Sequence, residues 1–280
     1  MLEHEIAGSD FASCTNSGHE FTFTNGPRDG VRALMSIWQG HNRSVPASDA
    51  TPMITVHHLN NSRSQRVLWL LEELGVDYEI KKYQRDAITM LAPPELMRVH
   101  PLGKSPVITD NNQAGNITVA ESGAIVEYLV EAYGHGKFIP AAGTPQRRQY
   151  TYWLHYAEGT AMPPLLMKLI FDRIKSTKMP FFAKPIAKAI ADNVLSSFVD
   201  PNLSRQLDFM EAELGKSEWF AGSEFSGADI QMSFPLEAAQ QRAGLNASRP
   251  KLMEFLKKIH ARPAYKKALE RGGPYSFVAD

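Results

Sequence analysis

The chain has 280 residues, 30 Lys+Arg against 30 Asp+Glu and a formal net charge of zero; that length allows one large domain or two modest ones. Its 43% hydrophobic content suits a soluble core, and balanced charge leaves no electrostatic footprint for nucleic acid or an anionic membrane. One cysteine, Cys14, excludes a disulfide framework, a Cys-x-x-Cys pair and a thiolate-rich metal site, and no apolar run nears the roughly 20 residues that span a bilayer.

Residues 1–52 are rich in Ser, Asn, Gly and Asp, without a basic cluster leading into an apolar core, so they do not read as a secretory signal. Too few apolar residues offset chain entropy there, and the expectation is a poorly ordered extension. Periodic structure starts at Met53, where an internal start would remove the extension altogether. Residues 54–58 read as a strand, and Asn60-Asn61-Ser62 breaks it. Val67, Leu70, Leu71 and Leu74 then fall at i, i+3, i+4 and i+7, which predicts a helix over 63–74 ended by Gly75. A second strand over 78–83 makes a parallel β-α-β unit. Pro93-Pro94 opens a short helical turn, and His100-Pro101-Leu102-Gly103 is a loop. Strands over 106–109 and 117–119 flank a hairpin turn containing Gly115, and a helix over 122–133 follows. The order β-α-β, β-β-α is that of a small thioredoxin-like domain over 53–135.

Beyond a Gly- and Pro-containing linker the pattern is helical only, over 145–280. Residues 146–175 form a long helical stretch that Pro163-Pro164 should kink or break. Residues 184–214 are helical with Pro185 in the first turn. Leu252, Phe255, Leu256 and Ile259 make an amphipathic stripe, and Pro263 can open a last helix. Phe225-Ser226-Gly227-Ala228-Asp229-Ile230 has the capping-box pattern, with Asp229 in place of the usual Glu or Gln. His57 and His58 are adjacent on a strand, so their side chains point to opposite faces and cannot grip one metal. There is no dinucleotide fingerprint, phosphate-binding loop or Gly-x-Ser-x-Gly elbow.

Three segments carry a more specific message: Asn61-Ser62-Arg63-Ser64-Gln65-Arg66, then His100 through Ile108 with Gly103-Lys104-Ser105-Pro106, then Glu121-Ser122-Gly123-Ala124-Ile125. With the Ser226 box and Arg262-Pro263-Ala264-Tyr265, in this order and spacing, the chain resembles the soluble glutathione S-transferases from Met53 to about Gly273. Pro-Pro-Glu-Leu at 93–96 and Tyr156-Ala157-Glu158-Gly159 look closest to the yeast membrane-associated glutathione transferase and its bacterial relatives. The resemblance implies a thioredoxin-like glutathione-binding domain followed by an all-helical substrate-binding domain. It further implies a homodimer with glutathione as co-substrate; the residues themselves lead us to expect a reducing, cytoplasmic compartment and no metal, nucleic acid or membrane anchor.

It also assigns roles. Ser122, at a helix N-terminus, would receive the γ-glutamyl carboxylate, and Glu121 its ammonium; capping and solvated first-turn roles are the plain alternatives. Ser105-Pro106 would carry a cis bond and present backbone to the cysteinyl moiety, while Lys104 faces the glycine carboxylate. A free thiol with a pKa near 8.5 is only a few per cent ionised at neutrality, and lowering it by about two units stabilises the anion by roughly 2.7 kcal/mol. Ser62 stands where a hydroxyl and a helix N-terminus can both act on sulfur, with Asn61 and Asn60 as alternatives. Tyr152, Tyr156 and Met162, with Trp153 and Leu166, would form the surface for an apolar electrophile. The expected activity is thiolate attack on that electrophile; glutathione-dependent peroxide or disulfide reduction and a non-catalytic binding or regulatory role are the alternatives.

Overall fold

The structure, a computed structural model, describes residues 53–113 and 116–278; the expected extension over 1–52 and Gly115 of the hairpin turn lie outside them. Strand β1 (Ile54–Leu59) runs parallel to β2 (Tyr78–Tyr83), with Ile54 opposite Tyr78 and Leu59 opposite Tyr83. On its other side β1 pairs antiparallel with β3 (Val107–Asp110), which pairs with β4 (Ile117–Ala120). The sheet order is therefore β2-β1-β3-β4. Helix α1 (Ser64–Leu74) joins β1 to β2, and α2 (Ser122–Tyr133) follows β4. This is the thioredoxin-like arrangement, and an all-helical part follows it.

Helix α1 ends as its sequence predicts. Gly75 takes φ 67°, and the Val76 and Gly75 N–H groups return to the Leu71 and Glu72 carbonyls. That double bond is the Schellman motif, which needs a left-handed residue that glycine adopts without steric cost. The stripe of Val67, Leu70 and Leu71 is fully buried, but so are Leu68 and Trp69, with Ser64, Gln65 and Arg66 also inside. The helix is covered on more faces than a single stripe anticipates, because helices from the C-terminal part close over its outer side. Buried polar residues on that side are the first sign of a site.

The helical part comprises α3 (Pro145–Tyr156), α4 (Met162–Ser176), α5 (Ala183–Val194), α6 (Asp200–Leu214), α7 (Gly227–Arg242), α8 (Pro250–Ala261) and α9 (Pro263–Gly272). Pro163-Pro164 does not break the chain. A π-helical turn, Ala157–Ala161, passes α3 directly into α4. Proline has no N–H for the carbonyl four residues back, and Gln206 Nε2 donates to the Thr160 carbonyl at 3.2 Å, the group Pro164 cannot reach. A second π turn, Leu195–Val199, likewise splits the expected 184–214 stretch just ahead of Pro201. Among the described residues no helix is long and apolar enough to cross a membrane.

Helix α7 is the hub. Residues 227–239 are all buried, and the helix packs on α1, α2, α3, α4 and α8. Its start is the expected capping box: Ser226 Oγ accepts from the Ala228 N–H, and Asp229 Oδ2 accepts from the Ser226 N–H at 2.8 Å. Gly227 is required by contact, since a Cβ there would lie 2.8 Å from Val126 Cγ1 and 3.1 Å from the Tyr150 hydroxyl.

Candidate active site

The register places three loops at one end of the sheet. His57 is opposite Val107, and Val107 is opposite Ala120. The chain leaving β1 (Asn60–Arg63), the chain entering β3 (Lys104–Pro106) and the chain leaving β4 (Glu121–Ser122) therefore emerge side by side.

In the first loop Ser62 is buried, at 3% exposure. Its Oγ accepts the Ser64 N–H at 3.2 Å and lies 2.7 Å from Ser64 Oγ, while its carbonyl accepts the Gln65 N–H. Ser62 thus closes the turn leading into α1, one residue before its N-cap Arg63, and sits at the positive end of the helix dipole. The neighbouring asparagines hold other segments. Asn60 Oδ1 accepts the Arg85 N–H at 2.9 Å, and Asn61, at φ 49°, accepts the Ser276 N–H at 2.8 Å. The C-terminal segment is thereby tied to the β1–α1 loop.

The entry to β3 contains the cis Ser105–Pro106 bond that the resemblance implies. Ser105 also does something not anticipated: its hydroxyl donates to the His57 carbonyl at 2.9 Å and pins this loop to β1. Lys104 is exposed and makes no ion pair among the described residues.

At the third loop Glu121 is exposed at φ 70°, turning the chain sharply into α2. Ser122 is buried, and its Oγ accepts from Arg66 Nη2 at 2.9 Å and Gln231 Nε2 at 3.1 Å. Both lone pairs are engaged, so its one proton remains for a further acceptor. The first N–H groups of α2 stand beside it without helical partners.

Arg66 organises this region, and sequence reading missed it as a functional group. It is fully buried, and besides Ser122 it donates to Glu158 Oε1 at 2.6 Å and to the Gln231 carbonyl. That carbonyl is available because Pro235, four residues on in α7, has no N–H to give it. Arg63 Nε reaches both Glu158 oxygens, at 3.0 and 2.8 Å, and both guanidinium groups lie over the Phe234 ring. Burial pushes the Arg66 pKa down against the pull of Glu158. For Glu158 burial pushes up, but Arg66 and Arg63 outweigh it and hold the carboxyl below its ordinary value. The sequence signal was faint: Glu158 lies in the quoted Tyr-Ala-Glu-Gly run, and Pro235 interrupts an apolar helix.

The residues expected to receive an electrophile divide. Tyr152 is 46% exposed and Leu166 is exposed too, whereas Trp153, Tyr156 and Met162 belong to the hydrophobic core. Tyr152 still touches the inner group, its ring centroid 5.6 Å from Tyr156 and 5.0 Å from Trp153, and Phe209 joins them. The two expected histidines diverge, His57 Nδ1 to the Tyr83 hydroxyl and His58 Nδ1 to Ser64. A cavity of about 670 Å³ between the 136–146 and 221–226 segments contains none of these groups.

Comparison with known proteins agrees with this fold. Residues 51–131 match the glutathione S-transferase N-terminal domain family, and residues 191–263 match the C-terminal domain family. The chain is 36% identical over 224 residues to glutathione S-transferase 1 of Saccharomyces cerevisiae, covering 79% of this chain and 95% of the yeast protein. A crystal structure of a glutathione S-transferase from Actinobacillus pleuropneumoniae aligns with a TM-score of 0.65 at 32% identity, over 80% of this chain and 95% of that one. A Pseudomonas fluorescens family member, solved with two glutathione molecules bound, shares the fold with a TM-score of 0.64 at 24% identity, over 85% and 98% of the two chains.

Proposed function

The chain belongs to the glutathione S-transferase family, and we propose that it works as one by laying glutathione across the three loops and ionising its thiol at Ser62. The γ-glutamyl carboxylate goes to the Ser122 hydroxyl and the N-terminus of α2, where Arg66 and Gln231 orient the hydroxyl. Glu121 faces the ammonium. The cysteinyl backbone runs beside Ser105 and Pro106, and Lys104 meets the glycine carboxylate. Sulfur then lies toward Ser62 and the start of α1, ready to attack an apolar electrophile or hydroperoxide resting on Tyr152, with Tyr156 and Met162 behind it. The same reading makes the protein a homodimer of the cytoplasm, a reducing compartment in keeping with one cysteine in 280 residues.

The observation that carries this reading is the bonding of Ser62. Its oxygen accepts from the chain's own N–H at the positive end of α1, so its proton can be given to a thiolate, and both effects favour the anion. Ser62→Ala is expected to raise the pKa of bound glutathione by about one to two units, followed by the ultraviolet absorbance of the thiolate. Turnover near neutral pH then falls about 10- to 100-fold, while the KM for glutathione changes little. An unchanged thiol pKa would move the role to Asn61 or Asn60.

Lys104→Ala tests the other end of the ligand. An exposed charge pair is worth about 0.2–1 kcal/mol, so KM for glutathione should rise by a factor of about 1.4 to 5 at low salt, with kcat held. Added salt should shrink the difference between the two proteins.

A further inference from the structure

A hydrogen-bond chain runs inward from Ser62, and the function proposed above makes no use of it. Ser62 Oγ is 2.7 Å from Ser64 Oγ, which is 2.9 Å from His58 Nδ1. All three residues are buried, Ser64 completely. The Leu59 N–H donates to Ser64 Oγ at 3.3 Å, and the Leu59 carbonyl lies equally far from it.

Ser64 can also donate to the Leu59 carbonyl, which interrupts the chain at Ser64; counting protons leaves two alignments in which it is unbroken. Each serine has one proton, and a neutral imidazole has one across its two nitrogens. In the inward alignment Ser62 donates to Ser64 and Ser64 donates to His58 Nδ1, so Ser62 can offer sulfur only a lone pair. In the outward alignment His58 Nδ1–H donates to Ser64 and Ser64 donates to Ser62. Ser62 then accepts from both the hydroxyl and the N–H of Ser64, and its own proton is the one group left to point out of the chain. Of the two unbroken alignments, the outward one alone serves a thiolate.

We propose that His58 is a positioning residue: as the Nδ1–H tautomer it acts through Ser64 to keep the Ser62 proton directed at the glutathione sulfur. The proposal rests on Ser62 being the thiolate's donor. Its surroundings keep the ring neutral, since burial, with Lys82 of β2 beside it, pushes His58 down to about 4. From α9 the backbone of Gly272 closes on the ring, where a Cβ would lie 3.6 Å from Cε1. A neutral ring retains one proton at every working pH, and the proposal places it on Nδ1.

Three variants test this in the full chain: Ser64→Ala, His58→Leu and His58→Asn, the last with an amide able to donate from about the Nδ1 position. Ser64→Ala and His58→Leu should raise the pKa of bound glutathione and lower turnover near neutrality by about 3- to 10-fold, one hydrogen bond's worth. The rate at alkaline pH, where the thiol ionises unaided, should stay within about twofold, and KM for glutathione should not move. His58→Asn should recover most of the lost thiolate. If His58→Leu does not fold, as judged by circular dichroism, Ser64→Ala decides the matter. A thiol pKa unchanged in Ser64→Ala but shifted in Ser62→Ala would overturn the role of His58 and leave that of Ser62 standing. No shift in Ser62→Ala would remove both. Failure of His58→Asn to exceed His58→Leu would overturn the donor direction.

Discussion

Replacing Glu158 with glutamine should lower the thermal midpoint by about 5–10 °C and weaken glutathione binding in the same protein. The cause is Arg66, which is fully buried and relies on Glu158 for its countercharge. Removing one partner of a buried pair typically costs about 3–5 kcal/mol, because the remaining charge is stranded. Two features reduce that. Glu158 is itself 30% exposed, and Arg66 retains the Gln231 carbonyl and Ser122. A loss of about 2–3 kcal/mol remains, and for a body of this size each kcal/mol moves the midpoint by about 2–4 °C. The binding effect follows from geometry. An Arg66 without its carboxylate shifts toward the remaining acceptors and disturbs the Ser122 hydroxyl, so KM for glutathione should rise while the thiol pKa, set at Ser62, stays put. A normal KM in a destabilised Glu158→Gln protein would separate Arg66 from ligand binding. The pH dependence has a definite sign. The folded Glu158 pKa lies below its unfolded value, so the pair contributes fully above about pH 4.5 and less as pH falls through the folded pKa. The stability gap between parent and variant should therefore close on acidification.

Much of this was legible in the sequence, for reasons that differ between segments. Strands and caps are local: Gly75 ends α1 by its own backbone freedom, and Ser226 with Asp229 starts α7 across three residues. Glu121-Ser122 and Ser105-Pro106 were recognisable because short motifs in the expected order mark the chain ends that meet at one edge of the sheet. The prolines misled. Pro163-Pro164 read as a kink or break, but a neighbouring helix supplies Gln206 to the Thr160 carbonyl and a π turn carries the chain through. Neither is visible to a periodicity that assumes 3.6 residues per turn. Arg66 was hidden for another reason. On α1 it looked like one more charged residue, and only the packing of α7 shows that Pro235 leaves a carbonyl for it to fill. Tyr156 and Met162 were indistinguishable from pocket residues by chemistry alone, because an aromatic or thioether side chain suits a core as well as a ligand.

Asp229→Ala should be the most destabilising single change in the helical part. Asp229 is completely buried, and its carboxylate accepts from the Phe220 N–H at 2.9 Å, the Ser226 N–H at 2.8 Å and the Ser226 hydroxyl at 3.1 Å. Alanine strands two buried N–H groups, at about 1–3 kcal/mol each, and loses the reciprocal cap. A total of about 3–5 kcal/mol would lower the midpoint by roughly 10 °C or more. The effect spreads because α7 starts here and carries Gln231, so Ser122 and Arg66 lose their support when its first turn frays. Asp229→Asn separates charge from hydrogen bonding. The amide has one oxygen for donors that now reach two, so it should cost about 1–3 kcal/mol. Burial pushes the Asp229 carboxyl up to about 7 against the pull of its three donors. With the folded pKa above the unfolded value, the parent loses stability as pH rises from about 4 to about 7, where the folded state must give up a proton the unfolded chain has already lost. That pH-dependent part should be missing in Asp229→Asn. If unfolding curves of the two proteins across this range run parallel, Asp229 is ionised throughout and its three donors, rather than burial, set its charge.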